Sequence, residues 1–445
     1  MTYQEAIKYL ESFINYERIT TYSYRSSFRL ERMDRILSLF DHPENKFNSL
    51  HITGTKGKGS VSAMAFSILN EAGFSCGLYT SPHLVDFRER IRIAQNRTWR
   101  LISEEEVVSL VEEIRPKIES LKERPSFFEI YTTLAFLYFA KKNLDFAVVE
   151  VGLGGRLDAT NILNPLVCGI TSISFDHMEK LGNTLAKIAQ EKCGIIKENT
   201  IVVSAPQKEE VSEVIRETCQ KKNAQLYEVN KDIFFEEIGW ENKKEIFNIR
   251  GIFEEYTHLE MPLLGTHQLI NASVALGMVE ALRKYQIYIS SPAVREGFRK
   301  VFWPGRLEIL QERPLIILDG AQNRESAYAL KEAVKKYFSY EKLILVLGIS
   351  KDKDIKGICE ELLEIADEII LTKANNPRAE EPKNIQNQIS KIKYQNNVFL
   401  TKNVEEAISL AKKKARVSDL ILITGSLFLV GEARDYLISY VQVQP

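Results

Sequence analysis

The clearest alternation of apolar and polar positions lies between residues 50 and 73. A short apolar run (Leu50, Ile52) leads into Gly54-Thr55-Lys56-Gly57-Lys58-Gly59-Ser60. Behind it, Val61, Met64, Ala65, Ile68, Leu69 and Ala72 recur at helical spacing, with Gly73 placed to end the helix. The pattern therefore predicts a strand, a glycine-rich turn and a helix in direct succession. Further helices are predicted over 4–16, 29–40, 103–121, 126–141, 265–284 and 291–300. Residues 75–79 read as a second strand that runs into the polar loop Thr80-Ser81-Pro82-His83-Leu84. Residues 90–93 and 98–102 alternate like the arms of a hairpin.

Two runs, 146–151 and 166–171, are apolar without alternation, as expected of strands covered on both faces of a parallel sheet. β/α alternation continues to about residue 228, and a more irregular β-rich piece spans 229–262. Trp303-Pro304-Gly305-Arg306 interrupts the pattern, after which strands are predicted at 314–318, 342–347, 367–371, 397–400 and 419–424, each followed by a helix. The fold class expected is α/β: a parallel-sheet phosphate-loop ATPase domain (1–300), a hinge (301–307) and a smaller Rossmann-like open parallel-sheet domain (308–445) of about five strands.

Composition changes this picture by exclusion. A chain of 445 residues with 44% hydrophobic and 27% charged residues is an ordinary globular protein, long enough for two domains. A formal net charge of −1 lacks the basic excess of a nucleic-acid binder. The five cysteines are odd in number and form no C-x-x-C pair, the pattern of a reduced intracellular protein. The apolar run near 130–140 is too short to span a bilayer, and the N-terminus carries Glu5, Lys8 and Glu11, unlike a signal peptide. A cytoplasmic protein without membrane or nucleic-acid partners, working as a monomer, is expected.

The glycine-rich turn carries the first candidate chemistry. Glycines let consecutive backbone N–H groups converge on an anion, the helix N-terminus adds its dipole, and Lys58 reaches the β/γ-phosphates. The match departs from G-x-x-x-x-G-K-[ST], since Ile52 stands at the first glycine and Gly59 precedes Ser60. In open α/β sheets ligands lie beyond the carboxyl ends of the strands. Those ends hold the phosphate loop, Thr80-Ser81, Glu150 and Asp176-His177. A hydroxyl and carboxylates beside a phosphate loop are what a Mg²⁺–ATP site requires. Glu150 could instead cap the next helix, Asp176 competes with His177 as a ligand, and Asp319 could bind ribose or cap its helix.

These residues carry a resemblance. His51-Ile52-Thr53-Gly54-Thr55-Lys56-Gly57-Lys58-Gly59-Ser60, Thr80-Ser81-Pro82-His83-Leu84 with Arg88-Glu89-Arg90-Ile91, and Glu150-Val151-Gly152-Leu153-Gly154-Gly155-Arg156-Leu157-Asp158-Ala159-Thr160-Asn161 resemble folylpolyglutamate synthase/dihydrofolate synthase, the folate branch of the Mur ligase superfamily. So do Asp176-His177, Glu191-Lys192-Cys193-Gly194-Ile195, Gly265-Thr266-His267-Gln268-Leu269-Ile270-Asn271-Ala272 and Pro304-Gly305-Arg306-Leu307-Glu308, in the family's order along nearly the whole chain.

The resemblance implies an ATP-dependent amide ligase that adds L-glutamate to the carboxylate of a reduced pterin or folate, with Lys58, Glu150, His177 and Lys192 at the chemistry. It implies ATP on the 54–60 loop with Asn271, Arg306 and Asp319, and Mg²⁺ on Ser81, Glu150 and His177. A carbamylated Lys192 beside a second Mg²⁺ is also implied. Ser126, Phe127, Phe128, Glu129, Arg156, Leu157 and Asp158 match pterin-side contacts, with a contribution from Thr20 and Thr21. The second domain is implied to close over nucleotide and glutamate. One departure is Gln322, where the family carries histidine, so no cation can form there beside phosphate. The rival readings are a Mur-type ligase for another carboxylate and a phosphate-loop ATPase switch.

Overall fold

Strands whose two faces both meet helices have no polar side to show, which is why their sequences do not alternate. The computed structural model, which describes residues 1–17, 19, 27–390 and 397–443, is built on two such sheets. Thr20 and Thr21 lie outside the described residues. The chain forms two units: Met1–His83 with Arg88–Pro262 and Thr266–Phe302, and Leu84–Phe87 with Leu263–Gly265 and Trp303–Pro445.

The main sheet of the first unit has eight strands: β1 (Asn48–Thr53), β2 (Cys76–Tyr79), β3 (Ile91–Gln95), β4 (Thr98–Leu101), β5 (Phe146–Glu150), β6 (Val167–Ile170), β7 (Ile201–Ser204) and β8 (Gln225–Glu228). Their order is β4-β3-β2-β5-β1-β6-β7-β8. From β2 to β8 the neighbours run parallel, whereas β3 and β4 form the hairpin expected from their alternation. Ile52 of β1 is in register with Glu150 of β5 and Gly169 of β6, so three neighbouring strands end level. The β-rich piece becomes a separate three-stranded antiparallel sheet of β9 (Phe234–Glu241), β10 (Lys244–Arg250) and β11 (Glu255–Met261).

The helix behind the phosphate loop runs Lys58–Glu71, with Gly73 beyond it at φ 92°. It is buried on nearly every side, so the apolar stripe read from sequence is only part of its packed surface. Helix Phe127–Lys141 is likewise buried from Phe127 to Ala140. Burial of each such Leu, Ile or Phe contributes about 1.5–3 kcal/mol, and these two helices supply much of the interior.

The second unit carries β12 (Glu308–Glu312), β13 (Leu315–Leu318), β14 (Leu343–Leu347), β15 (Glu368–Leu371), β16 (Asn397–Leu400) and β17 (Leu420–Thr424), in the order β12-β13-β17-β14-β15-β16. Five strands are parallel as expected; β12 is a sixth, antiparallel to β13. It escaped the sequence reading because Glu308, Gln311 and Glu312 break the apolar run, as an edge strand permits. Leu345, Leu347, Leu420 and Leu422 pack on one face, and Ile344, Val346, Ile421 and Ile423 on the other. Among the described residues no helix is long and apolar enough to cross a membrane.

Candidate functional site

The glycine-rich turn after β1 is held open by backbone geometry that side chains resist. Gly57 is left-handed at φ 89°, and a Cβ there would lie 2.3 Å from Asn271 Oδ1. Gly54, at φ 147°, backs so closely on Thr171 that a Cβ would collide with its hydroxyl. The loop is pinned to the end of β6 by Thr55 N–H and Lys56 N–H, which both donate to Ser172 O (2.9 and 3.3 Å). The Thr55 hydroxyl donates to Ser174 O at 3.1 Å. Asn271, 215 residues on in sequence from Lys56 by their numbering, is thereby packed against Gly57. Its amide donates to Gln268 Oε1 at 3.0 Å.

Charged groups converge on this turn. Lys58 Nζ stands 3.9 Å from Glu150 Oε1, and Ser81 N–H donates to Glu150 Oε2 at 3.2 Å. The Glu150 carboxylate is buried at the end of β5. Lys56 Nζ pairs with Asp176 Oδ2 at 3.0 Å, and His177 Nε2 lies 3.9 Å from the other Asp176 oxygen. His177 is left-handed (φ 50°) at the start of helix Met178–Leu181, with its ring partly exposed. Asp176, which competed with His177 in the sequence, is thus the partner of a loop lysine. Among the described residues, no three His, Cys, Asp or Glu side chains cluster closely enough to hold a metal by themselves.

Lys192 departs most from a surface reading. It ends helix Leu185–Cys193, is 4% exposed, and its Nζ donates to Gly54 O at 2.7 Å. Burial, then the nearby Lys58 ammonium, brings its pKa down to about 7. Near neutral pH this amine is therefore partly unprotonated and nucleophilic.

The residues matched to the pterin side come from two segments that meet where Phe128 packs on Gly152, with Arg156 and Leu157 facing helix Leu185–Cys193. Ser126 caps helix Phe127–Lys141 in a reciprocal box with Glu129. Glu129 also accepts from Arg32 Nε at 2.8 Å, both side chains buried. Arg90 lies 5.4 Å from the Phe127 ring centroid and 5.5 Å from that of Tyr131, and it pairs with Glu17. Phe128 packs directly on Gly152, where a Cβ would come within 2.6 Å of its ring. Arg156 pairs with Glu191 at 2.7 Å, and Leu157 packs against the core under the turn. Asp158 is fully buried; it accepts from Leu153 N–H at 2.9 Å and Thr160 N–H at 3.0 Å. It shapes the turn from within, and burial raises its pKa against these hydrogen bonds.

In the second unit, Asp319 ends β13, accepting from Leu307 N–H (3.0 Å) and Ala321 N–H (2.9 Å). Arg306 donates to Gly305 O at 2.8 Å and packs against Gly320. Desolvation raises the Asp319 pKa, and Arg306 opposes that shift. Asn323, not Asp319, caps helix Arg324–Tyr337, and Gln322 N–H donates to the Ser326 hydroxyl at 3.1 Å. Sequence reasoning passed over Arg32 and Thr171 and gave Arg90, quoted within the Arg88–Ile91 motif, no role of its own; the alternating Arg90-Ile91-Arg92 was the visible signal, since a charged residue on a buried hairpin needs a partner.

Comparison with known proteins places the chain in a family. Residues 52–279 match the Mur ligase middle domain and residues 305–427 the Mur ligase glutamate ligase domain. A dihydrofolate synthase/folylpolyglutamate synthase of Bacillus subtilis is 38% identical over 92% of this chain and 94% of its own. The solved folylpolyglutamate synthase of Thermotoga maritima is 36% identical, with a TM-score of 0.84 over 98% of this chain and 97% of its own. That of Mycobacterium tuberculosis, complexed with ADP and AMPPCP, is 32% identical, with a TM-score of 0.86 over 93% of this chain and 96% of its own. With a family model covering half its length and a relative this similar end to end, the chain belongs to the Mur ligase family, in the branch of the dihydrofolate and folylpolyglutamate synthases.

Proposed function

We infer that this chain is an ATP-dependent acid–amino-acid ligase, adding L-glutamate to the carboxylate of a reduced pterin or folate. The observation that carries the reading is the placement of Lys58 3.9 Å from Glu150, at a glycine turn open to phosphate, on a chain of this family. A pterin carboxylate oxygen attacks the γ-phosphorus of ATP; the bond to the ADP oxygen breaks and an acyl phosphate forms. The glutamate amine attacks the acyl carbon, the amine proton is released, and phosphate leaves as the amide forms. Lys58 and the N–H groups of the turn neutralise and orient the phosphates.

The donor set suits Mg²⁺. Glu150 and the Ser81 hydroxyl are hard oxygen ligands, and Mg²⁺ takes one or two such groups together with substrate phosphates and water. Their grouping explains why no cluster of three acidic or imidazole side chains is needed. When bound, the ion polarises the phosphoryl oxygens. His177 is the third ligand in this reading.

Carbamylation of Lys192 belongs to the same proposal. Its neutral amine attacks CO₂, a nitrogen–carbon bond forms, and loss of a proton leaves a carbamate anion. The lowered pKa and the adjacent cations Lys58 and Lys56 favour that exchange of charge, and the anion would help hold a second Mg²⁺. Asn271, Arg306 and Asp319 complete the nucleotide contacts. Ser126, Phe127, Phe128, Glu129, Arg156 and Leu157 line the pterin side, with Asp158 shaping it. Residues 1–300 bind ATP and pterin, 301–307 are the hinge, and 308–445 are the closing domain, all in a cytoplasmic monomer. The test is ADP release in the presence of dihydropteroate or a folylglutamate, each with and without L-glutamate. Turnover that needs neither pterin nor glutamate refutes the ligase.

A further inference from the structure

A hydrogen-bonded chain links β1 to Asp158 through His51 and Thr160, two residues the chemistry above leaves unused. His51 of β1 is fully buried, and its Nε2 lies 2.8 Å from the Thr160 hydroxyl. That hydroxyl has one proton, and it is given to Asp158 Oδ1 at 2.5 Å. Thr160 therefore accepts from His51, so the imidazole proton sits on Nε2. The ring's Nδ1 has no partner among the described residues, and a proton there would be a buried donor left unpaired. Asp158 in turn accepts from Leu153 N–H, three residues beyond Glu150. A second tie runs beside it: the Thr53 hydroxyl donates to Gly154 O at 2.7 Å.

We propose that His51 is a positioning residue: a neutral imidazole that, through Thr160 and Asp158, anchors the turn after Glu150 to the strand carrying the phosphate loop. Lys58 follows the His51 end of that anchor and Glu150 immediately precedes the turn at its other end, so the geometry of the pair depends on it. The physical need is plain. The strand ladder between β1 and β5 stops near Glu150, and the turn beyond, with glycines at 152, 154 and 155, is held by contacts outside the ladder. Asp158 ties the turn to itself; His51, beside the Thr53 hydroxyl, ties it to β1.

The catalytic side of this inference rests on the ligase reading, so the experiment has two arms. In the unliganded protein, the ¹⁵N shifts of His51 report the tautomer, and amide hydrogen exchange reports the anchor. His51→Leu and Thr160→Val are expected to speed exchange of the Leu153 and Thr160 amides about tenfold while β7 and β8 stay unchanged. His51→Gln, which keeps a donor near the Nε2 position, should restore protection. A proton on Nδ1, or equal exchange in the leucine and glutamine variants, overturns the proposal. In the second arm, ATP turnover of His51→Leu falls about tenfold with KM for ATP within about twofold, and His51→Gln recovers it. If His51→Leu does not fold, Thr160→Val decides both arms. Loss of exchange protection with unaltered turnover overturns the positioning role, whereas a wild-type chain with no ligase turnover refutes the assigned reaction and leaves the anchor to the exchange arm.

Discussion

Lys192 Nζ donates to the carbonyl oxygen of Gly54 across 138 residues of sequence, at 2.7 Å. The contact places a buried amine with a pKa of about 7 against the loop meant for phosphate. A bare ammonium there adds to the charge of Lys58 and Lys56, whereas a carbamate reverses it. Lys192→Ala is expected to lose ligase activity and regain part of it with added short-chain carboxylates. Lys192→Arg should stay inactive, because it keeps the charge and cannot react with CO₂. Intact-protein mass spectrometry under bicarbonate, with an unmodified mass throughout, would refute the modification.

The same lysine makes a pH prediction. Its ordinary pKa is 10.5 and the folded value is about 7, so between these pH values the unfolded chain holds a proton that the folded one lacks. Stability from this group therefore rises with pH across that window and is lost as pH falls through it. Urea midpoints measured from pH 7 to 10 should rise more steeply in the wild-type chain than in Lys192→Met, which has no proton to lose; equal slopes would count against a buried, deprotonated lysine.

Lys58→Met keeps the length of the side chain and removes its charge. Loss of a phosphate-facing cation should lower turnover by about a hundredfold or more with circular dichroism unchanged. Normal turnover in the folded variant would take the loop out of the reaction.

Glu150→Gln keeps the shape and loses the anion beside Lys58 and Ser81. The Mg²⁺ concentration for half-maximal rate should rise about tenfold, because an amide is a poor ligand for a hard cation. An unchanged magnesium curve would make Glu150 a structural partner of the Ser81 backbone.

Arg32→Leu strands the buried Glu129 carboxylate, which also closes the cap of helix Phe127–Lys141. Breaking one side of a buried pair costs about 3–5 kcal/mol. Arg32→Leu with Glu129→Gln should recover part of the loss. Urea unfolding measures both, and a single variant as stable as wild type would show that Glu129 is satisfied without Arg32.

The local devices were legible in the sequence because they need only neighbours. The glycine turn and its helix, the β3–β4 hairpin and the apolar runs of the parallel strands follow from short-range spacing, steric freedom and two-sided burial. The edge strand β12 was not legible, because an exposed edge need not be apolar. Nor were the pairings that make the site. Glu150 meets Lys58, Asp176 meets Lys56, and Asp158 turns inward to Leu153 and Thr160. A lysine on an amphipathic helix reads as solvated until the sheet brings Gly54 to it, and its pKa falls only once that contact excludes water. Residue types and their order determined the family and its chemistry; which charges are buried, and against what, was decided by the level ends of β1, β5 and β6, since electrostatics depends on distances in space.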